Sequence, residues 1–290
     1  MYDVHRDLVE SNITDTFGDI INNEKKGFNH IHTGALSQSY INNVVDTIVH
    51  TKKMGIAGRS VIMIEQQSGN QLYFETKGSE AYLVAPVREK YDFGVGLRGF
   101  WYSWNGFSTP KKTIIIPGEI LFNRKTYTVT KLSKHVFRDC KEIESVLIPD
   151  SIHTIESVAF MDSGIISIKL PIGITILEDG VFYGCNRLQN VILPIALQKI
   201  ESTAFEGVNM LNKIIIPASI ESISVEIFGN TTISRPKLVM DGEPPIIDGY
   251  KCDFINEIKE WNVEVNPIYL PKYKANEHWR LTKLVKKKMR

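Results

Sequence analysis

Four prolines fix what this chain can fold into. Pro149, Pro171, Pro194 and Pro217 each close a short hydrophobic run, and they stand 22, 23 and 23 residues apart. Eleven residues after each comes a phenylalanine, Phe160, Phe182, Phe205 and Phe228, with Phe137 opening the series. A small or branched residue precedes every one of them: Val136, Ala159, Val181, Ala204 and Ile227. A unit of about 23 residues is too short to bury its own apolar face. Such units must stack and share one continuous core, so the period predicts a solenoid.

The alternation within each unit sets the direction of its side chains. Val146, Ile168, Val191 and Ile214 face inward, and Ile148, Leu170, Leu193 and Ile216 follow two residues later, as a strand requires. Proline then ends the strand, since it has no amide to give to a parallel ladder. A second apolar set at a spacing of three (Ile152/Ile155, Ile174/Leu177, Leu197/Ile200, Ile220/Ile223) packs the return leg, and the phenylalanines form a stacked spine. The end members, Phe137 and Phe228, are expected to be less confined than Phe182 and Phe205. Cys140 and Cys185 hold equivalent positions two coils apart, with Ser163 between them. At about 4.8 Å per coil they are too far apart for a disulfide, so both are expected as free, buried thiols.

The lines "IESVAFMDSGIISIKLP", "LEDGVFYGCNRLQNVILP" and "IESTAFEGVNMLNKIIIP" resemble the BspA-like leucine-rich repeat family of bacterial surface and secreted proteins. The lead-in "IIIPGEILFNRKTYTVTKL" and the closing "IYLPKYKANEHW" are also similar to that family, so the resemblance covers residues 70 to 285. It implies a right-handed leucine-rich-repeat solenoid with one β-strand per coil, roles in adhesion or ligand binding, and a cell-surface or secreted location. It carries over no catalytic residues. Residues 1–66 lie outside it, and the opening "MYDVHRDLVESNITD" lacks the basic-then-apolar pattern of an export signal, which leaves a cytoplasmic location as the alternative. The expected organisation is residues 1–66 as a helical or α/β segment, 67–128 as a β-hairpin cap with an aromatic insertion, 129–240 as five repeats, and 241–290 as a C-terminal cap with a basic tail.

Around the repeats, Leu36, Tyr40, Val44 and Ile48 recur at helical spacing, so residues 34–54 are expected as an amphipathic helix capped at Gly55. A second helix is expected around Val9, Ile13, Phe17 and Ile20. The stretch "SVIMIEQQSGNQLYFETKGSEAYLVAP" alternates and breaks at Gly69-Asn70 and Gly78-Ser79, which reads as β-hairpins. In "YDFGVGLRGFWYSWNGF" the formal G-x-G-x-x-G from Gly94 to Gly99 lacks the strand and helix a dinucleotide site needs. The aromatics there have two readings: Trp101, Tyr102 and Trp104 form a stacking surface for a sugar or peptide, or they cover the end of the core.

A second candidate surface follows from the alternation. Ile115, Leu147, Lys169, Ile192, Ile215 and Val239 should face outward, as a mostly apolar stripe about 25 Å long. Thr113, Ser145, Ser167, Asn190, Lys213 and Lys237 flank it. Such a stripe marks an interaction surface, or it records only the strand propensity of branched residues. Other constellations are thin. His30 and His32 lack a third metal ligand, and His135 and His153 are expected in exposed turns. Glu144, Glu156, Asp179 and Glu201 are expected as solvated surface, and no nucleophile has a matched base. No metal and no cofactor is expected. A net charge of +1 argues against a nucleic-acid partner, and no apolar run reaches the length of a membrane helix. The expected function is non-catalytic binding of a protein or glycan, with Leu147, Lys169, Ile192, Ile215, Trp101, Tyr102 and Trp104 as candidate contacts. The alternatives are an enzyme with its site in residues 1–110 and a self-assembling surface element.

Overall fold

The computed structural model describes residues 48–56, 59–92, 98–229, 231, 235–249 and 254–288. The first described element is the strand β1 (Ile48–Ile56), which opens an antiparallel meander with β2 (Arg59–Gln66), β3 (Gln71–Lys77) and β4 (Glu80–Val84). The expected hairpins are therefore present. Their turns use Gly69 and Gly78 at φ 82° and 63°, where a side chain would be strained. β1 corrects the helix expected over 34–54: residues 48–54 are strand, and Gly55 pairs with Ser60 inside the ladder. Cross-strand pairing with the buried run of β2 outweighs a helical spacing of which only Ile48 lies in this segment. Residues 34–47, the helix expected around Val9 to Ile20, and His30 and His32 lie outside the described residues. The meander also crosses the boundary expected at residue 66, because β2 and β3 pair with each other.

β5 (Val87–Asp92) and β6 (Arg98–Ser103) form a separate hairpin, followed by β7 (Lys112–Ile115), β8 (Glu119–Phe122) and β9 (Lys125–Leu132). β9 joins the two parts of the molecule. It pairs with β8 and β4 on the cap side and in parallel with β11 (Thr154–Ile155) on the repeat side.

From β10 (Ile143–Leu147) onward the chain winds as a solenoid. Its sheet-face strands are β10, β12 (Ser167–Lys169), β14 (Asn190–Ile192), β16 (Lys213–Ile216) and β18 (Lys237–Met240). Between them run the short return strands β13 (Ile176–Leu177), β15 (Lys199–Ile200), β17 (Ser222–Ser224) and β19 (Ile246–Asp248). After β19 come a helix α1 (Phe254–Lys259), β20 (Asn262–Val265), a helix α2 (Leu270–Ala275), a 3-10 turn (Trp279–Leu281) and β21 (Lys283–Lys286).

The return strands make one parallel ladder, β13-β15-β17-β19, whereas the sheet face is two ladders, β7-β10-β12-β14 and β16-β18-β20-β21. The coils stay closed at this split along the other edges. The Phe182 amide donates to the Ala204 carbonyl at 3.1 Å, and the Gly184 amide donates to that of Glu206 at 2.8 Å. The second ladder runs past residue 240, where the cap was expected to begin. Leu238 pairs with Val263, and Val263 with Leu284. These coils depart from the 23-residue spacing and lack the proline-to-phenylalanine landmark that marks the others.

The expected spine is dry, and its rings stack from Phe137 to Phe205. Phe137, Phe160, Phe182 and Phe205 stack with centroids 5.3, 5.6 and 5.7 Å apart, and Phe228 meets Trp261 edge-on at 6.0 Å. Trp279 continues the series 5.8 Å from Trp261, and its indole N–H donates to the Pro245 carbonyl at 2.7 Å. Four of the five turns beside the spine use left-handed backbone: His135, Val158, Gly180 and Thr203 precede a spine phenylalanine by two residues with φ between 53° and 61°.

Candidate functional site: the outward face of the sheet

The register brings the expected columns together. Thr113 pairs with Ser145, Ser145 with Ser167 and Ser167 with Asn190, while Ile115 pairs with Leu147 and Lys169 with Ile192. Beyond the split, Lys213 pairs with Lys237 and Ile215 with Val239. The stripe is therefore real as a row of positions, but it is interrupted between Ile192 and Ile215.

Its exposure differs from expectation. Leu147 and Val239 are buried, at 8% and 6%, and Ile115, Lys169, Ile192 and Ile215 are half-buried. In the first ladder most of the flanking column is also withdrawn from solvent, and only Asn190 at its end is exposed. Ser145 and Ser167 are buried, Thr113 Oγ1 lies 3.0 Å from Ser145 Oγ, and Ser167 Oγ has no hydrogen-bond partner among the described residues. Outward parity alone does not expose a short side chain: neighbours about 4.8 Å away on both sides screen it.

The second ladder extends both columns with residues the repeat pattern did not reveal. Beside Lys237 stands Asn262, and Asn262 pairs with Lys283; beside Val239 stands Glu264, which pairs with Val285. The signal that could have found them is the bare alternation of "NVEV" and "TKLVK". Lys213, Lys237, Asn262 and Lys283 are all exposed, and Val285 is 55% exposed. Lys237 Nζ meets Glu264 at 3.0 Å and Lys283 Nζ meets Glu260 at 2.9 Å, whereas Lys213 makes no ion pair among the described residues. Exposed pairs of this kind contribute little to folding, because solvent and salt screen them.

The aromatic insertion covers the core. Trp104 is buried at 6%, its indole N–H donates to the Val136 carbonyl at 2.9 Å, and its ring meets Tyr73 edge-on at 5.8 Å. This corrects its assignment to a stacking surface, because the ring is buried and its N–H is spent on the Val136 carbonyl. Tyr102 is half-buried under the Arg59 guanidinium, 5.2 Å from the ring centroid. Arg59 is held in turn by Glu75 and the Ala85 and Pro86 carbonyls. The side chain of Trp101 and residues 93–97, with most of the G-x-G-x-x-G, lie outside the described residues.

The reactive side chains near the coils are occupied structurally. Cys140 and Cys185 are free and buried, as expected. Burial pushes the Cys185 thiol up to about 12 and raises that of Cys140 as well, so neither is a nucleophile near neutral pH. His135 corrects the expectation of an exposed turn: it is buried beside Tyr102, and burial, with Arg138 and Lys134 nearby, lowers its pKa to about 4. His153 is exposed. Glu144 and Asp179 are exposed, while Glu156 is half-buried and bound by Lys131 at 2.8 Å, and Glu201 likewise by Lys199 at 2.8 Å. Burial raises the pKa of Glu178, helped by Glu201, Glu156 and Asp179 around it. Among the described residues no cluster of His, Cys, Asp and Glu could hold a metal ion, and no helix is long and apolar enough to cross a membrane.

Parallel ladders on two edges, a phenylalanine spine and a coil of 21 to 25 residues define a leucine-rich-repeat solenoid. Residues 122–234 match the BspA type leucine rich repeat region in six copies. No curated protein matches the chain. Among solved structures, a leucine-rich repeat protein from Bacteroides ovatus is 16% identical, with a TM-score of 0.42 over 60% of this chain and 48% of that one. The pneumococcal vaccine antigen PcpA is 18% identical, with a TM-score of 0.42 over 66% of this chain and 51% of its own. A leucine rich cell surface protein from Faecalibacterium prausnitzii is 22% identical, with a TM-score of 0.31 over 61% and 55%. The chain thus spans about half the length of these proteins.

Proposed function

We propose that this chain is a non-catalytic binding scaffold, secreted or held at a cell surface, that offers the outward face of its sheet to a protein or glycan. The observation that carries the reading is the register. It stacks one residue from every coil into columns that run along the solenoid, with Ile115, Leu147, Lys169 and Ile192 in the first ladder and Ile215, Val239, Glu264 and Val285 in the second. Repeat scaffolds use such extended faces for binding, because a ligand can touch many coils at once. The occupied state of the groups that chemistry would need supports the non-catalytic half of the reading: thiols buried and protonated, His135 buried and neutral, Glu156 and Glu201 tied to lysines. The match of residues 122–234 to the BspA type repeat supports a surface role.

The test is an array of extracellular-matrix proteins and glycans probed with the full chain and with the double variant Ile192→Asp/Ile215→Asp. A ligand retained by the wild type and lost by the double variant is the expected result. Loss in Trp101→Ala instead, with the double variant still binding, would move the site to the aromatic hairpin.

A further inference from the structure

The second ladder differs from the first in one chemical respect, its flanking column. Lys213, Lys237, Asn262 and Lys283 succeed one another at the strand spacing of about 4.8 Å. Their core neighbours Ile214, Leu238 and Val263 are fully buried, so alternation sends all four toward solvent, where they are exposed. Like charges directly opposite each other destabilise a sheet, yet Lys213 stands opposite Lys237. Glu264 and Glu260 partly neutralise Lys237 and Lys283, and no carboxylate answers Lys213 among the described residues. Beside the column runs a second one, Ile215, Val239, Glu264 and Val285, three of them apolar. The first ladder carries Thr113, Ser145 and Ser167 at the corresponding positions and has no such row of charge.

We infer that this face, β16-β18-β20-β21, takes a linear anionic glycan, a sugar chain bearing carboxylate or sulfate groups at regular intervals. The inference rests on the sheet face being the binding surface. The lysines supply point charges in a straight row, Asn262 supplies a donor and an acceptor for hydroxyls, and Ile215 and Val285, unlike the buried Val239, supply contact for the C–H faces of sugar rings. The amides of β18 and β20 are consumed in their own ladder on both sides. A peptide therefore cannot pair as a strand with these two central strands, which is the route by which extended peptides gain main-chain affinity. A repeating polymer matched to a repeating column needs no such bonds, and its attraction is spread over several coils and weakened by salt.

The full chain is titrated with polygalacturonate and with dextran sulfate, beside neutral dextran and poly-glutamate. Both anionic glycans should bind, more tightly at low salt, and neutral dextran should not. The triple variant Lys213→Gln/Lys237→Gln/Lys283→Gln should lose about tenfold or more in affinity, with thermal unfolding confirming that it folds. Lys286→Gln/Lys288→Gln near the C-terminus should bind like the wild type. Failure of either anionic glycan to bind, equal binding of poly-glutamate, or loss only in the variant near the C-terminus would overturn the inference. If the wild type ignores anionic glycans but retains another ligand that Ile215→Asp abolishes, the inference fails and the scaffold function stands. If Ile215→Asp affects no ligand, the sheet face itself is the wrong surface.

Discussion

The two ladders of the sheet share a core and differ in what they show to solvent. Inward, Val146 and Ile168 of the first correspond to Ile214, Leu238 and Val263 of the second, all buried. Outward, the first presents hydroxyls that are themselves withdrawn from water, Ser145 and Ser167, and the second presents exposed lysines. Stacking dictates the inward residues, since each must fit between its copies above and below. Nothing in the stacking dictates the outward ones. The face is where one coil can differ from the next at little cost, and it is there that a repeat protein can acquire a ligand.

The shared core is the first part of this comparison to break. Phe182→Ala in the first half and Phe228→Ala in the second should each cost about 3–5 kcal/mol in denaturant titrations, because rigid coils cannot close the cavity. The sequence suggests a smaller loss for Phe228 as an end residue. The structure removes that distinction, because Phe228 is fully buried against Trp261, and the ladder runs on for two more strands. A clearly smaller loss at Phe228 would mean that the second ladder is loosely held.

The faces should differ where the cores agree. Leu147→Asp places a carboxylate at a buried position and should cost about 3 kcal/mol, from lost apolar burial and an unpaired charge. Ile215→Asp, at the equivalent position across the split, is half-buried beside Lys213 and Lys237 and should cost less than about 1 kcal/mol. Equal losses would erase the contrast between a screened first ladder and an open second one.

How far the sequence reached depends on what each residue answers to. The spine, the inward columns and the free thiols were readable because stacking imposes them at a fixed period: Phe160, Phe182 and Phe205 announce one another. β20 and β21 escaped because their coils change length and carry neither the proline nor the phenylalanine, though their alternation is plain once aligned on Leu238. β1 escaped because pairing with β2, a contact that no local spacing encodes, decides its conformation. Exposure was the hardest to read. Leu147 and Ile215 have the same parity and different burial, since neighbouring coils, and not the residue itself, set the solvent around it.

The split between the ladders makes a third, smaller difference measurable. β10 and β18 are paired on both sides, while β14 and β16 each have one neighbour in the sheet. Amide hydrogen exchange in native conditions should be faster at β14 and β16 by roughly tenfold, about 1.4 kcal/mol of local opening. Uniform protection across the four strands would show that the two ladders behave as one sheet in solution.

The smallest effect concerns the turns that lead into the spine. In the earlier coils the residue two before the phenylalanine is left-handed, and at Val158 that residue is β-branched with φ 53°. This conformation costs an L-residue about 1–2 kcal/mol, and the next coil avoids the cost by placing Gly180 there at φ 59°. Val158→Gly should therefore stabilise the protein by about 0.5–1 kcal/mol, the relief of strain less the added freedom of the unfolded chain. The coil of Phe228 turns differently: its left-handed residue is Gly229, one position after Phe228, and Glu226 does not share the conformation of Val158. Glu226→Gly relieves nothing and gives up the hydrogen bond from Ser202, so it should destabilise by about 1 kcal/mol. Opposite signs at two positions aligned by the repeat would show that the coils share a spine without sharing a backbone path. The same sign at both would mean that the strain at Val158 is taken up by its contact with the neighbouring coil, where its Cγ1 already stands 2.9 Å from the place a side chain on Gly180 would begin.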